Sequence, residues 1–223
     1  MIDEVWEHKY TSGHSQKYPW DSVVSFFFRY RRSIRGTPNI DLLEVGCGTG
    51  ANLWFAAREG CNVVGIDGSS SAINAAKKLF FDEKLDGIFY VSDFTQIPCG
   101  DQTHDMVIDR GALTCCRKSN LPKALSEVAR VIKPGGYFLF TPFSDSHTSS
   151  MSGTRADDGT IEGISQGTLV GVGAITFLSE EEIMELLPSD TWRIDEIYKK
   201  EFSKVIPPDD MIHAEWQIVA QRR

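Results

Sequence analysis

Apolar residues recur along this chain in two rhythms. Ile40-Asp41-Leu42-Leu43-Glu44-Val45 is a short apolar run that ends in glycines, the pattern of a strand buried on both faces. Leu53, Trp54, Ala56 and Ala57 follow at helical spacing, and residues 62–66 read as a second strand. A helix over 70–81, a third strand over 87–91 and a fourth over 105–108 come next. Leu121, Leu125, Val128 and Ile132 then share one helical face, and 137–141 reads as a fifth strand. Such alternation predicts an α/β fold with a parallel sheet, right-handed crossovers and helices on both faces.

The flanks lack that rhythm. Residues 1–20 hold Trp6, His8, Tyr10, His14, Tyr18, Pro19 and Trp20 without a period. Asp21 is expected to cap a helix over 21–34, with Val23, Val24, Phe27, Phe28 and Arg31 at helical spacing, before Gly36, Pro38 and Asn39 break the chain. Residues 143–174 are rich in Ser, Thr, Gly and Asp, and so long an irregular stretch in a compact domain is a functional loop or a disordered one. Ser179 and Glu182 form a capping box that opens a helix through Leu187. Residues 192–198 read as a strand, and Ile212, Ala214, Trp216, Ile218 and Ala220 alternate with polar residues in another. The 201–210 segment between them is too short for a helical crossover, so the last two strands should be antiparallel neighbours. The expectation is one domain over 1–223, without repeats or linkers.

Composition narrows the classes. The 223 residues are 41% hydrophobic and 24% charged, ordinary globular usage that needs no disulfide or metal staple to fold. A formal charge of −8 opposes phosphate binding, so no nucleic-acid partner is expected. The one basic run, Arg29, Arg31, Arg32 and Arg35, falls at a helix end, where the helix dipole favours cations. No stretch reaches the ~18 apolar residues of a membrane span. The opening Met1-Ile2-Asp3-Glu4-Val5-Trp6 is acidic and is not expected to be a secretory leader. Five cysteines, odd in number and without a CxxC pair, fit reduced thiols and a cytoplasmic location. No metal-ligand spacing is present.

Three motifs carry chemistry. Glu44-Val45-Gly46-Cys47-Gly48-Thr49-Gly50 follows the first strand and opens a helix. Its glycines permit a tight turn and close approach of a ligand, and the helix N-terminus offers free N–H groups. Asp67 ends the second strand 21 residues after Gly46 (67 − 46), the distance at which an acid accepts hydrogen bonds from a ribose. Asp93-Phe94 ends the third strand, where an acid can accept from an exocyclic amine while a ring covers a flat base. All three lie at strand carboxyl ends, the ligand-binding edge of open α/β sheets.

Together these motifs resemble the class I S-adenosylmethionine (SAM)-dependent methyltransferases over residues 40–142. Val131-Ile132-Lys133-Pro134-Gly135-Gly136 matches that family's turn before the fifth strand. The resemblance implies a Rossmann-like seven-stranded sheet of order 3-2-1-4-5-7-6 with strand 7 antiparallel. It implies that Gly46, Gly48 and Gly50, supported by Glu44, hold the methionine part, with Cys47, Asn52, Gly68 and Ser69 beside them. Asp67 would hold the ribose, Asp93 and Phe94 the adenine, and Asp109 and Arg110 would lie beside the methionine moiety and the acceptor. The chain is also similar to small methyltransferases of bacterial sugar or cell-surface polysaccharide pathways, through 8–20, 109–115 and 213–216.

The implied activity is in-line methyl transfer to a small-molecule O- or N-acceptor, which is mainly a positioning task. Acceptor choice falls to the variable pieces: 1–39 as an N-terminal lid and helix, 143–178 as an acceptor-side insertion. Tyr10, Tyr18, Trp20, Arg110 and His213 are candidate acceptor contacts. A hydroxyl acceptor needs a base, and His147, Asp109 and His14 are the candidates, with Glu215 behind them. His147 should emerge beside the methyl group with Asp145 orienting its ring. Arg110 can grip an anion or pair with Asp109. Cys115 and Cys116 read as inert thiols. Two alternatives stay open: a NAD-linked Rossmann oxidoreductase, disfavoured by GxGxG in place of GxGxxG and by Asp93, and a SAM-binding regulatory or assembly subunit without catalysis.

Overall fold

A computed structural model describes residues 4–34 and 39–223. Met1, Ile2 and Asp3 of the opening segment, and the expected helix-end Arg35 and breakers Gly36 and Pro38, lie outside the described residues. Seven strands form one sheet: β1 (Asp41–Val45), β2 (Asn62–Asp67), β3 (Ile88–Val91), β4 (His104–Asp109), β5 (Ile132–Phe140), β6 (Trp192–Val205) and β7 (Pro208–Arg222). Their order is β3-β2-β1-β4-β5-β7-β6. β7 runs antiparallel to both its neighbours, and every other pairing is parallel. A separate ribbon, Thr154–Arg155 with Ile161–Glu162, pairs only with itself. Counting it makes the last two sheet strands the eighth and ninth of the chain. Setting it aside gives the expected 3-2-1-4-5-7-6.

The sheet separates two cores because successive strand residues face opposite sides. On one side Leu43, Val45, Val107 and Phe138 pack with Leu121, Leu125 and Val128 of α5 (Leu121–Val131) and Ile183 of α6 (Glu180–Leu186). On the other, Leu42, Met106, Ile108 and Leu139 meet α2 (Asp21–Tyr30), α3 (Ala51–Arg58) and α4 (Ser70–Glu83) through Phe27, Leu53 and Ile73. The Ser179–Glu182 capping box opens α6 as expected.

Four features differ from the expected pattern. A helix, α1 (Glu4–Thr11), occupies the stretch that shows no period, and none of its residues is fully buried. Its order comes from what it touches, not from an apolar stripe. Trp20, not Asp21, is the N-cap of α2, which ends at Tyr30 with a single 3-10 turn beyond it. The final strands run on through the presumed loop, to Val205 and from Pro208. Alternation is lost there because neither face of the projecting hairpin is covered: Phe202, Val205 and Ile206 are all exposed. Finally, the polar 143–174 segment builds a small core of its own from Phe143, Ile161, Ile164 and Leu169, joined by Ile175 and Phe177.

Candidate functional site

The carboxyl ends of β1 to β4 open on a cavity of about 300 Å3. Its floor is the turn from β1 into α3. Gly46 and Gly48 have φ of +66° and +52°, a region costly for any side chain. A Cβ at Gly46 would run into the Ala112 side chain, and one at Gly48 would lie 2.7 Å from the Tyr10 hydroxyl. Gly48 N–H donates to Asp67 Oδ2 at 2.9 Å, and Ser69 N–H donates to Asp67 Oδ1 at 2.8 Å. These bonds use two of the four acceptor directions of the Asp67 carboxylate, leaving two for a ligand hydroxyl pair. Ser69 caps α4, accepting from Ala72 N–H at 3.0 Å. Asp93 Oδ1 accepts from the backbone and hydroxyl of Thr95, both at 2.8 Å, which fixes the acid on the cavity wall beside Phe94.

Glu44, Gly46, Cys47, Gly48 and Asn52 line this cavity. So do Asp67, Gly68, Ser69, Asp93, Phe94 and Arg110. Gly50 does not reach the wall; its φ of +84° shapes the turn, and Ala76 Cβ lies 3.0 Å from where a Cβ would stand. Glu44 is 2% exposed; its Oε1 accepts from Asn52 Nδ2 at 2.6 Å, and its Oε2 has no partner. Burial, with Asp109 and Asp67 nearby, pushes the Glu44 carboxyl up to about 8. Asp109, expected as a direct contact, sits behind the wall at 0% exposure. Its Oδ1 accepts from Ala112 and Leu113 N–H at 2.9 and 2.8 Å, folding the turn that carries Arg110. Its Oδ2 is unpartnered, and burial pushes this carboxyl up to about 6.

The N-terminal segment is stitched over the cavity at three points. Glu7 of α1 accepts from Ser69 Oγ at 2.6 Å, Ser71 N–H at 3.2 Å and Ser71 Oγ at 2.5 Å. Those hydrogen bonds hold the Glu7 carboxyl down to about 2. Thr49 Oγ1 donates to Gln16 O at 3.0 Å, and Trp20 N–H donates to Asn52 Oδ1 at 3.0 Å. Trp6, Tyr10 and His14 pack as a ring cluster with centroids 5.4–6.1 Å apart and line the cavity. Burial raises the Tyr10 hydroxyl above its ordinary value. Tyr18 is 65% exposed and off the wall. Glu7 and Trp6 are functional candidates that the sequence reading missed; the four-residue step from Trp6 to Tyr10 was the available signal.

At the far end Arg110 pairs with Glu215, not Asp109: its guanidinium lies 2.9 Å from Glu215 Oε2 and 4.2 Å from the Trp20 ring centroid. His213 Nε2 is 3.8 Å from Glu215 Oε2, and His213 is not on the cavity wall. His147 is corrected too. It is 1% exposed, off the cavity, with Nδ1 accepting from Ser149 N–H and Nε2 3.1 Å from His213 Nδ1. Burial and the neighbouring His213 hold its imidazole down to about 4. Asp145 engages Ser144 Oγ and Lys199 instead of this ring. The loop leaving β5 turns inward onto Phe143 and Phe177, which is why a polar sequence delivers a buried histidine. Cys115 lines the cavity, while burial pushes the Cys116 thiol up to about 12. Among the described residues no group of three or more His, Cys, Asp or Glu could hold a metal, and no helix is long and apolar enough to cross a membrane.

Comparison with known proteins agrees with this geometry. Residues 42–136 match the methyltransferase domain model. The chain is 34% identical over 106 residues to malonyl-[acyl-carrier protein] O-methyltransferase of Buchnera aphidicola, covering 46% of this chain and 39% of that protein. It is 31% identical to a thiol S-methyltransferase of Rattus norvegicus, covering 58% of this chain and 52% of the relative. The chain thus spans about half or less of the curated relatives it matches. Among solved structures, a Methanosarcina mazei SAM-dependent methyltransferase superposes with a TM-score of 0.70 at 21% identity, covering 88% of this chain and 96% of that one. The Burkholderia thailandensis 1,6-didemethyltoxoflavin N1-methyltransferase, solved with S-adenosylhomocysteine, gives 0.71 at 13% identity over 98% and 88%. At such identities the likeness is one of fold.

Proposed function

Residues 42–136 make this chain a class I SAM-dependent methyltransferase domain, and on that premise we propose that the protein transfers a methyl group from SAM to a small-molecule acceptor. The observation that carries this reading is the convergence of Glu44 and Asp67, at the ends of β1 and β2, and Asp93, just beyond β3, on one cavity around the glycine turn. Their chemistry suits the cofactor. The unpartnered Glu44 Oε2 fits an ammonium group, the free lone pairs of Asp67 fit a ribose, and Asp93 with Phe94 fits an adenine.

When bound, SAM supplies a methyl group on a positively charged sulfur, an activated leaving group. The protein's own residues then have three tasks. Gly46 and Gly48 let the backbone approach without a side chain in the way. Trp6, Tyr10 and Trp20 exclude water from the reacting end, which preserves the electrostatic effect of the charged groups there. His14 is the imidazole on the cavity wall, and it takes the proton of a hydroxyl acceptor.

Arg110 is already neutralised by Glu215. That pairing, with the aromatic walls of Trp6 and Trp20, favours a small neutral ring-bearing acceptor, including sugar-derived hydroxyl compounds, over a strongly anionic one. In this reading residues 4–34 frame the acceptor end of a single domain, with 143–178 packed outside the cavity wall. The five free thiols favour a cytoplasmic location.

The test is incubation of the protein with methyl-labelled SAM and fractionated metabolite extracts. Label should enter a neutral small-molecule fraction and be lost with Asp67→Ala. Cofactor binding without label transfer to any fraction would favour a regulatory subunit instead.

A further inference from the structure

A line of polar side chains runs from the 143–178 segment to the cavity wall. Ser149 N–H donates to His147 Nδ1 at 3.1 Å, so that nitrogen is bare and the neutral ring carries its proton on Nε2. Burial keeps the ring neutral. His147 Nε2 lies 3.1 Å from both Thr168 Oγ1 and His213 Nδ1, and Thr168 Oγ1 lies 2.9 Å from His213 Nδ1. A proton on His213 Nδ1 would set two N–H donors against each other across that gap. His213 Nδ1 is therefore the acceptor of the triangle, and its proton sits on Nε2, which faces Glu215 Oε2 at 3.8 Å. The Phe143 and Phe202 rings flank His213, with centroids 6.0 and 6.2 Å away.

Glu215 continues the line. It follows His213 by two positions on β7 and so shares its face of the strand. Its Oε2 is 2.9 Å from Arg110 Nη2, and both side chains are largely buried. The Trp20 ring covers the guanidinium at 4.2 Å. The ion pair thus engages one end of Arg110. The Nε–H at the other end is buried without a partner, on a residue that lines the cavity. A buried N–H is costly to leave unmade unless a ligand accepts from it. With its charge already met by Glu215, this donor suits an uncharged oxygen better than an anion.

We infer that Thr168 and His213 are positioning residues for Arg110, holding Glu215 so that the guanidinium Nε–H meets an uncharged carbonyl, ether or hydroxyl oxygen of the methyl acceptor. The inference rests on the methyltransferase reading above and deepens it by naming a group the acceptor carries. It gives the 143–178 segment a part in acceptor choice although that segment does not line the cavity. The Thr168 hydroxyl is the essential link, because with it in place His213 Nδ1 keeps a donor even when His147 is removed.

Thr168 is exposed, so Thr168→Val removes the hydroxyl at nearly constant shape without opening the core, and Thr168→Ser restores it. Two readouts are taken on the full chain. Nitrogen NMR spectra at about pH 8, where a free imidazole is neutral, should show His147 and His213 both protonated on Nε2. The Arg110 Nε–H signal, identified by its loss in Arg110→Lys, should move in Thr168→Val and return in Thr168→Ser. In the second readout, methyl-labelled SAM and graded dilutions of the neutral metabolite fraction give the half-saturating amount of acceptor. Thr168→Val should raise that amount ~5-fold or more, with the maximal rate and SAM affinity within a few-fold, and Thr168→Ser should recover it. A proton on His213 Nδ1, label entering anionic fractions alone, or an Arg110 signal and acceptor dependence indifferent to Thr168→Val would each overturn the positioning role while leaving methyl transfer intact. No label transfer by the parent chain to any fraction overturns the function and the positioning role together.

Discussion

The sheet-centred half of the molecule and the two segments that cover it are built on different physical terms. In residues 40–142 each functional residue is held by a strand end: Glu44 by β1, Asp67 by β2, Asp109 by β4. Burial and register fix those positions, and the apolar pattern announces them. Residues 4–34 reach the same site through polar stitches instead, while 143–178 packs around its own apolar cluster and does not line the cavity. Glu7 to Ser69 and Ser71, Gln16 to Thr49, and Trp20 to Asn52 tie the N-terminal cover down. Strand ends thus hold the acids of the cavity, and the stitched N-terminal segment covers it.

Breaking the first half should have the largest effect. Gly48→Val places a branched side chain at a positive φ and against the Tyr10 hydroxyl. We expect SAM affinity to fall by ~100-fold or more, as titration would read, and the melting temperature to fall as well, because a branched side chain is strained at this φ. Gly13, also at positive φ but with open space around it, is the control: Gly13→Ala should leave SAM affinity within a few-fold.

Comparing two histidines sharpens the division between wall and scaffold. With a hydroxyl acceptor, His14→Ala should lower turnover by ~10²-fold while SAM affinity stays within a few-fold. His147→Ala should leave turnover within a few-fold and lower the melting temperature, because it removes the ring between Phe143, Phe177 and His213. The reverse pattern would return the base to His147.

A smaller effect is expected at the latch. Glu7→Ala removes hydrogen bonds from a half-buried carboxylate on a helix with no fully buried residue, so global stability should change little. Protease cleavage within 12–20 should accelerate in the free protein and be suppressed by cofactor. The 143–174 segment, with its own apolar core, should resist cleavage in both states. Equal cutting of the two segments would mean that the stitches do not hold the cover.

The smallest effect is on the pH profile of stability. Glu44 lies above its ordinary value, so between pH 4.5 and 8 the folded chain holds a proton the unfolded chain has lost, and stability falls as pH rises. His147 lies below its ordinary value, so stability is lost as pH falls from 6.5 towards 4. Melting scans across pH should show both slopes, and Glu44→Gln should flatten the alkaline one alone.

The same division explains what the sequence disclosed. The alternating strands and helices, the glycine turn and the acids at positions 44, 67 and 93 were legible because buried strands and positive-φ turns leave strong compositional marks, whereas the strand order came with the family resemblance those motifs carry. The helical state of α1 was not, since its residues are ordered by Glu7 reaching α4, 62 to 64 positions away in the chain. His147 misled for a related reason. A Ser-rich stretch reads as solvated, yet Ser149 N–H and Thr168 Oγ1 satisfy the ring internally and let it be buried. The projecting tip of β6 and β7 escaped notice because no face of it is covered.

The central claim, that the cavity at the ends of β1 to β4 is built for SAM, is tested most directly by calorimetric titration of SAM and NAD into the full chain and into Asp67→Ala. The account predicts one SAM bound per chain, a loss of ~100-fold or more in affinity on removing the Asp67 carboxylate, and no heat from NAD. Binding of NAD without SAM, or SAM affinity indifferent to Asp67, would contradict it.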